Sequence, residues 1–68
     1  MEVSVDKANT RRGPAKTYKI VTTLERGHTV IPLKQENGWT YIGITGEGKT
    51  AWIFSSLISK PAGIYPLD

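Results

Sequence analysis

Six residues of this sequence are best suited to chemistry, and the chemistry that they suit is binding. They are Trp39, Tyr41, Tyr18, Trp52, Arg11 and Arg12. Aromatic rings stack on sugars, peptide planes or proline rings. A guanidinium group holds a carboxylate or a phosphate through paired hydrogen bonds. We therefore predict these six residues as the ligand-binding set.

The same residue types also have purely structural uses in a small domain. Trp39 and Trp52 can serve to cover a small core, which needs large side chains to bury enough apolar area. Loop arginines such as Arg11 often donate to backbone carbonyls. We expect Asn9 to bond the backbone of its own turn and His28 to be a solvated turn residue.

Catalytic and metal-binding groups do not form a recognisable set. No nucleophile and base are arranged together, and Glu36 and Glu47 fall in separate predicted turns. His28 is the single histidine and the sequence has no cysteine, so no metal ligand set is complete. We expect a protein that is not an enzyme and needs no cofactor.

The size and charge of the chain limit its architecture and its partners. Its 68 residues suffice for one domain, without disulfides. The net charge is +3, and residues 1–26 carry all of the excess. That distribution favours anionic partners at low salt, although a solvated basic loop is the simpler explanation. We expect a monomer.

Two cellular locations are compatible with the sequence. No apolar run reaches the length of a membrane span, so we expect no membrane association. The first residues lack the basic and apolar regions of a signal peptide. Either the protein acts in the cytosol, or it is a domain of a longer exported protein.

The residue pattern predicts an all-β fold. Short alternating or β-branched segments predict strands at 3–5, 18–24, 29–34, 39–45, 50–54 and 58–59. A long loop over 6–17 carries Gly13-Pro14, hairpin turns fall at Asn37-Gly38 and 46–49, and 55–57 forms a 3₁₀ turn. In so short a chain this predicts an antiparallel barrel of five to six short strands over 1–59. We expect residues 60–68 to form a C-terminal tail or linker.

Strand alternation assigns the side chains to two faces. Ile42 and Ile44 point into the core, so Trp39 and Tyr41 share the opposite face and Trp39 is at least partly exposed. Pro32 lies at an edge or a bulge because it cannot donate a hydrogen bond. The predicted core consists of Val5, Ile20, Leu24, Val30, Ile42, Ile44, Ile53 and Ile58.

The order of several short motifs over residues 3–59 resembles the bacterial SH3 family. The matching residues are Asn9, Arg11, Gly13, Pro14, Tyr18, Ile20, Leu24, Gly27, Val30, Asn37, Gly38, Trp39, Gly48, Lys49 and Trp52. The resemblance implies a small SH3-like barrel that serves as a targeting module on a larger protein. Leu57 stands where the family often has tyrosine, which removes one aromatic ring from the usual groove.

Three functions follow from these observations. The resemblance implies a module that targets peptidoglycan or a peptide, with a parent enzyme domain as the other partner. The missing signal peptide favours an intracellular protein-interaction module, although a basic loop does not suit basic proline-rich ligands. The positive charge permits nucleic-acid binding, which ranks third because residues 27–68 carry no net charge.

Overall fold

Residues 1–59, the part of the chain that the computed structural model describes, form short antiparallel β-strands. The strands are β1 (Glu2–Val3), β2 (Lys7–Arg11), β3 (Ile20–Glu25), β4 (Val30–Glu36), β5 (Trp39–Ile44), β6 (Lys49–Phe54) and β7 (Ile58–Ser59), with a 3₁₀ turn at Ser55–Leu57 before β7. The predicted all-β class and the 3₁₀ turn are confirmed. The predicted tail at 60–68 lies outside the described residues.

Five of the strands form one antiparallel sheet in the order β3-β2-β6-β5-β4, and β1 pairs with β7 in a second, two-stranded sheet. The N-terminal segment joins the two sheets. The Val30 backbone N–H donates to the Met1 carbonyl at 2.8 Å, and the Ser4 N–H donates to the Leu57 carbonyl at 2.8 Å. The small antiparallel barrel is therefore held closed by backbone hydrogen bonds on both sides of β1. Within residues 1–59, no helix is long and apolar enough to cross a membrane.

The two-residue turn between β4 and β5 sets the register of these two strands. Asn37 and Gly38 both have positive φ angles, of 50° and 84°, between the paired residues Glu36 and Trp39. Two consecutive positive φ angles are characteristic of the type I′ turn, whose twist matches that of the flanking strands. The Asn-Gly pair therefore fixes which residues of β5 face inward.

The core is small and mostly aliphatic. Its buried apolar residues are Val3, Ala8, Leu24, Val30, Ile42, Ile44, Ala51, Ile53 and Ile58. Thr10 and Thr40 are also fully buried. The Thr10 hydroxyl donates to the Thr22 carbonyl at 2.8 Å, and the Thr40 hydroxyl bonds that of Ser55 at 2.7 Å. These bonds remove the penalty of burying two hydroxyl groups.

Two predictions about the first half of the chain are wrong. The predicted loop at 6–17 contains strand β2, whose inward residues Ala8 and Thr10 are too small or too polar to signal a strand. Ile20, predicted in the core, is 49% exposed. A bulge explains it: Thr10 pairs with Thr22 but Arg11 pairs with Ile20, so one extra residue in β3 reverses the alternation.

Other core predictions are refined rather than reversed. Val5 is half-buried and packs against the core instead of belonging to it. Pro32 lies on the edge strand β4 next to a shift of register between Pro32 and Lys34, as its missing N–H predicts. Ile42 and Ile44 are buried, which confirms the inward face of β5.

Candidate functional site

Four aromatic side chains lie together on the outer face of β5 and β6, and we call them the aromatic face. They are Trp39, Tyr41, Trp52 and Phe54. The strand register pairs Trp39 with Phe54 and Tyr41 with Trp52. The first pair meets edge to face at 5.4 Å between ring centroids, and the second is tilted at 5.1 Å. Both geometries are favourable for aromatic pairs.

The two tryptophans are more buried than the sequence predicts. Trp39 was expected to be at least partly exposed, but it and Trp52 each keep only 8% of their surface accessible. Each indole is covered by the aromatic partner across the strand pair, and the Lys34 ammonium lies 5.8 Å from the Trp52 ring centroid. The aromatic face is therefore a packed second layer with limited exposed ring area.

A groove of about 300 Å³ runs along one end of the aromatic face. It is lined by Lys7, Asn9, Arg11, Lys16, Trp39, Phe54 and Leu57. Three of these residues are cationic and none is acidic, while Trp39, Phe54 and Leu57 supply apolar surface. The groove therefore suits a ligand that combines a negative group with flat or apolar parts.

The loop at 12–19 forms one wall of the groove and is tethered to β2. The Arg11 guanidinium donates to the Tyr18 carbonyl at 3.0 Å, so part of its donor capacity is used within the loop. A Cβ atom on Gly13 would lie 2.5 Å from the Tyr18 ring, so the ring can cover this position only because it is glycine. These contacts place Lys16 beside the groove.

The cations of the groove have no ion-pair partner within residues 1–59. The ion pairs found there join Arg26 to Asp6 and Lys49 to Glu47. The positive charges of Lys7, Arg11 and Lys16 are thus available to a ligand. Asn9 accepts a hydrogen bond from the Thr23 hydroxyl at 2.9 Å, so it bonds the neighbouring strand and not its own turn as expected.

A second cleft, of about 460 Å³, lies at the other end of the aromatic face, and we call it the Tyr41 cleft. It is lined by Arg12, Val21, Tyr41, Lys49 and Thr50. The Tyr41 hydroxyl donates to the Thr50 hydroxyl oxygen at 2.8 Å. The groove and this cleft share no lining residue.

The structure distributes the six predicted ligand-binding residues over different places. Trp39 and Arg11 line the groove, while Tyr41 and Arg12 line the Tyr41 cleft. Trp52 packs under Tyr41 and Lys34 in the middle of the aromatic face. Tyr18 is 48% exposed but lines neither cleft.

The prediction omitted five residues that line the groove. They are Lys7, Asn9, Lys16, Phe54 and Leu57. Phe54 follows Trp52 by two positions and could have been found by strand alternation. Lys7 and Asn9 also alternate with Arg11, but only once 7–11 is known to be a strand. Leu57 lines the groove at the position where the bacterial SH3 family often has tyrosine.

The single histidine has a structural contact. The His28 Nε2 group lies 3.2 Å from the Thr45 carbonyl oxygen, to which it donates, so His28 is more than a solvated turn residue. In the described part of the chain, no group of three His, Cys, Asp or Glu residues could hold a metal ion. The arrangement offers binding surfaces whose chemistry is stacking and charge-assisted hydrogen bonding.

Comparison with known proteins agrees with this architecture. The family model described as bacterial SH3 domain matches residues 6–59, which is well over half of the 68-residue chain. No curated protein and no solved structure matches the chain significantly. Domains of the matching family are in general non-catalytic binding and targeting modules.

Proposed function

The chain belongs to the bacterial SH3 domain family, and from that premise we propose that it is a targeting module that recognises peptidoglycan or a peptide through the groove. The observation that carries the proposal is the groove lining: Trp39 and Phe54 lie beside Lys7, Arg11 and Lys16, with no acidic residue among the lining groups. Peptides with carboxylate groups present the complementary chemistry.

The exposed parts of the groove suit peptide recognition in two ways. Phe54 is 41% exposed, so its ring can stack on a peptide plane or an apolar side chain. The guanidinium of Arg11 keeps donors beyond the one bonded to Tyr18 and can reach a carboxylate. A neutral or basic proline-rich segment would meet the same cations without compensation, which disfavours that ligand class.

A groove of about 300 Å³ gives a small contact area, so we expect weak binding, with a dissociation constant around micromolar or higher. Peptidoglycan presents many copies of its peptides, and a parent protein with several binding domains would gain from avidity. The module would then act by holding its parent protein at the wall.

Sedimentation with purified peptidoglycan tests the proposal. Phe54→Ala should weaken binding about tenfold, because it removes the exposed ring of the groove. Leu33→Ala is the matched control, since Leu33 is similarly exposed at 52% but lies on β4 outside the groove. Equal binding by wild type and Phe54→Ala would contradict the groove as the site.

A second pair of variants tests the charge of the groove. Lys16→Gln should weaken binding about two- to fivefold, as expected for one exposed ionic contact. Lys19→Gln removes the same charge from the same loop but from a residue outside the groove, so it should bind as wild type. Equal losses in both variants would indicate attraction by net charge alone.

Nucleic-acid binding is the alternative that the charge pattern favours, because five cationic residues line the two clefts around the aromatic face. A fluorescent single-stranded DNA or RNA of about ten nucleotides, roughly one site for a small barrel, distinguishes the two functions. Binding that falls steeply with salt, together with no sedimentation with peptidoglycan, would replace the proposed function by this one.

A further inference from the structure

We propose that the Tyr41 cleft is a second binding site, independent of the groove, for the oxyanion group of a ligand, either a phosphate or a carboxylate. Its lining residues include Arg12, Lys49 and Thr50, whose side chains carry a guanidinium, an ammonium and a hydroxyl group, and no lining residue is acidic. Arginine and lysine donate hydrogen bonds but accept none. A ligand group that only accepts hydrogen bonds therefore matches this lining.

The Tyr41–Thr50 hydroxyl pair at the cleft can supply a further donor to such a group. The Tyr41 hydroxyl donates to the Thr50 oxygen at 2.8 Å. Because the Thr50 oxygen already accepts this hydrogen bond, its own hydrogen is available to donate elsewhere. Hydrogen bonds in a chain strengthen one another, so Thr50 becomes a better donor than an isolated hydroxyl.

The cations of the cleft are only weakly engaged within the protein. The Lys49 ammonium lies 3.9 Å from a Glu47 carboxylate oxygen, at the long limit of an ion pair, and both side chains are well exposed. Such a pair contributes little stability. Arg12 is held through its backbone, whose N–H donates to the Lys19 carbonyl at 3.0 Å. The Arg12 guanidinium takes part in neither of the two ion pairs found within residues 1–59.

The cleft is separate from the groove of the proposed function. The two share no lining residue, and they lie at opposite ends of the aromatic face, with Trp39 at one end and Tyr41 at the other. Each site can therefore bind or fail to bind without the other. An anion in this cleft would rest beside the Tyr41 ring and the half-buried Val21.

The test is a nuclear magnetic resonance titration of the full 68-residue chain with sodium phosphate, with sodium acetate and sodium chloride at matched ionic strength as parallel arms. We expect saturable shifts of the Arg12 Nε–H and of the Lys49 and Thr50 amides, with a dissociation constant in the low millimolar range. Tighter binding of phosphate than of acetate would indicate a phosphate ester as ligand, and the reverse would indicate a carboxylate.

Three variants locate the site. Arg12→Gln should weaken phosphate binding about tenfold, because it removes charge-assisted hydrogen bonds. Thr50→Val should weaken it about threefold by removing the hydroxyl donor while keeping the shape of the side chain. Lys19→Gln, which removes one positive charge from a residue that lines neither cleft, should bind phosphate as wild type.

Two results would overturn the proposal. One is that phosphate and acetate shift the cleft residues no more than chloride does. The other is that Lys19→Gln, outside both clefts, weakens phosphate binding as much as Arg12→Gln, which would indicate attraction by net charge alone. Lys49→Gln takes the place of Arg12→Gln if the latter does not fold. Peptidoglycan sedimentation of Arg12→Gln, measured separately, reports on the groove and distinguishes failure of one site from failure of the other.

Discussion

The two faces of the β5–β6 hairpin differ in the kind of side chain that they bury. The inner face carries aliphatic and small residues, with Ile42 and Ile53 fully buried. The outer face carries the four aromatic rings, and yet Trp39 and Trp52 are nearly as inaccessible. Burial alone therefore does not distinguish core residues from candidate binding residues in this small barrel. The two indoles mainly stabilise the fold, whereas the Phe54 ring, which is 41% exposed, keeps surface open to a ligand.

This arrangement explains how a domain with a small core can present a binding surface. Below about 70–80 residues a core supplies only about 3–5 kcal/mol. Aromatic rings packed on the outside of the sheet add buried apolar area where no inner volume is left. The groove then forms where this second layer meets the loop at 12–19, at Trp39 and Lys16.

The largest effect is expected from the inner face. Ile42→Ala should destabilise the domain by about 3–5 kcal/mol, because it leaves a cavity at a fully buried position between paired strands. That loss is comparable to the whole stability expected of the domain. Urea unfolding monitored by tryptophan fluorescence measures it. A loss below about 1 kcal/mol would show that the aromatic layer, and not the inner face, carries the stability.

Trp39→Ala is the matching change on the outer face. The ring packs on Phe54 and is largely covered, so we expect a loss of about 2–4 kcal/mol, smaller than for Ile42→Ala because water can enter the outer position. Trp39→Phe is the control that keeps an aromatic ring and should recover most of the stability. If Trp39→Ala is more destabilising than Ile42→Ala, the comparison between the faces is reversed.

The third prediction concerns the Asn37-Gly38 turn, which determines the face on which each residue of β5 lies. Gly38→Ala should cost about 1–2 kcal/mol, because Gly38 has a φ of 84° that other residues adopt with strain. Gly43→Ala is the control: its φ is not positive, and an added Cβ would make ordinary contacts of 3.9–4.0 Å with Ile31 and Leu33. Denaturation midpoints of the two variants should differ clearly, and equal midpoints would contradict the role of the turn.

The same turn shows why much of the fold could be predicted from the sequence. Asn37-Gly38 and the alternation after it are local signals, so β5, its inward isoleucines and the hairpin to β4 followed directly. The bulge in β3 could not be predicted, because it depends on how β2 pairs with β3 and not on any residue of β3 itself. Ile20 was therefore assigned to the wrong face.

The site was less predictable than the fold for a related physical reason. Trp39 and Arg11 were recognised by residue type, but Lys7, Asn9 and Lys16 reach the groove only through β2 and the loop beside it. Their placement depends on tertiary contacts such as the Arg11 bond to the Tyr18 carbonyl. Residue type identified the aromatic rings, and the fold was needed to find the cations beside them.

The smallest expected effect concerns the cation that lies over the middle of the aromatic face. Lys34 is on β4, opposite Tyr41, and its ammonium lies 5.8 Å from the Trp52 ring centroid. Lys34→Gln should destabilise the domain by about 0.5–1 kcal/mol, as for an exposed cation–π contact. Lys34→Arg is the control, because arginine keeps the charge and stacks well on aromatic rings. A shift in Trp52 fluorescence with Lys34→Gln but not with Lys34→Arg would support the contact.

Since Lys34 lines neither cleft, both variants should bind peptidoglycan and phosphate as wild type does, and a loss of binding would extend the site to the centre of the aromatic face.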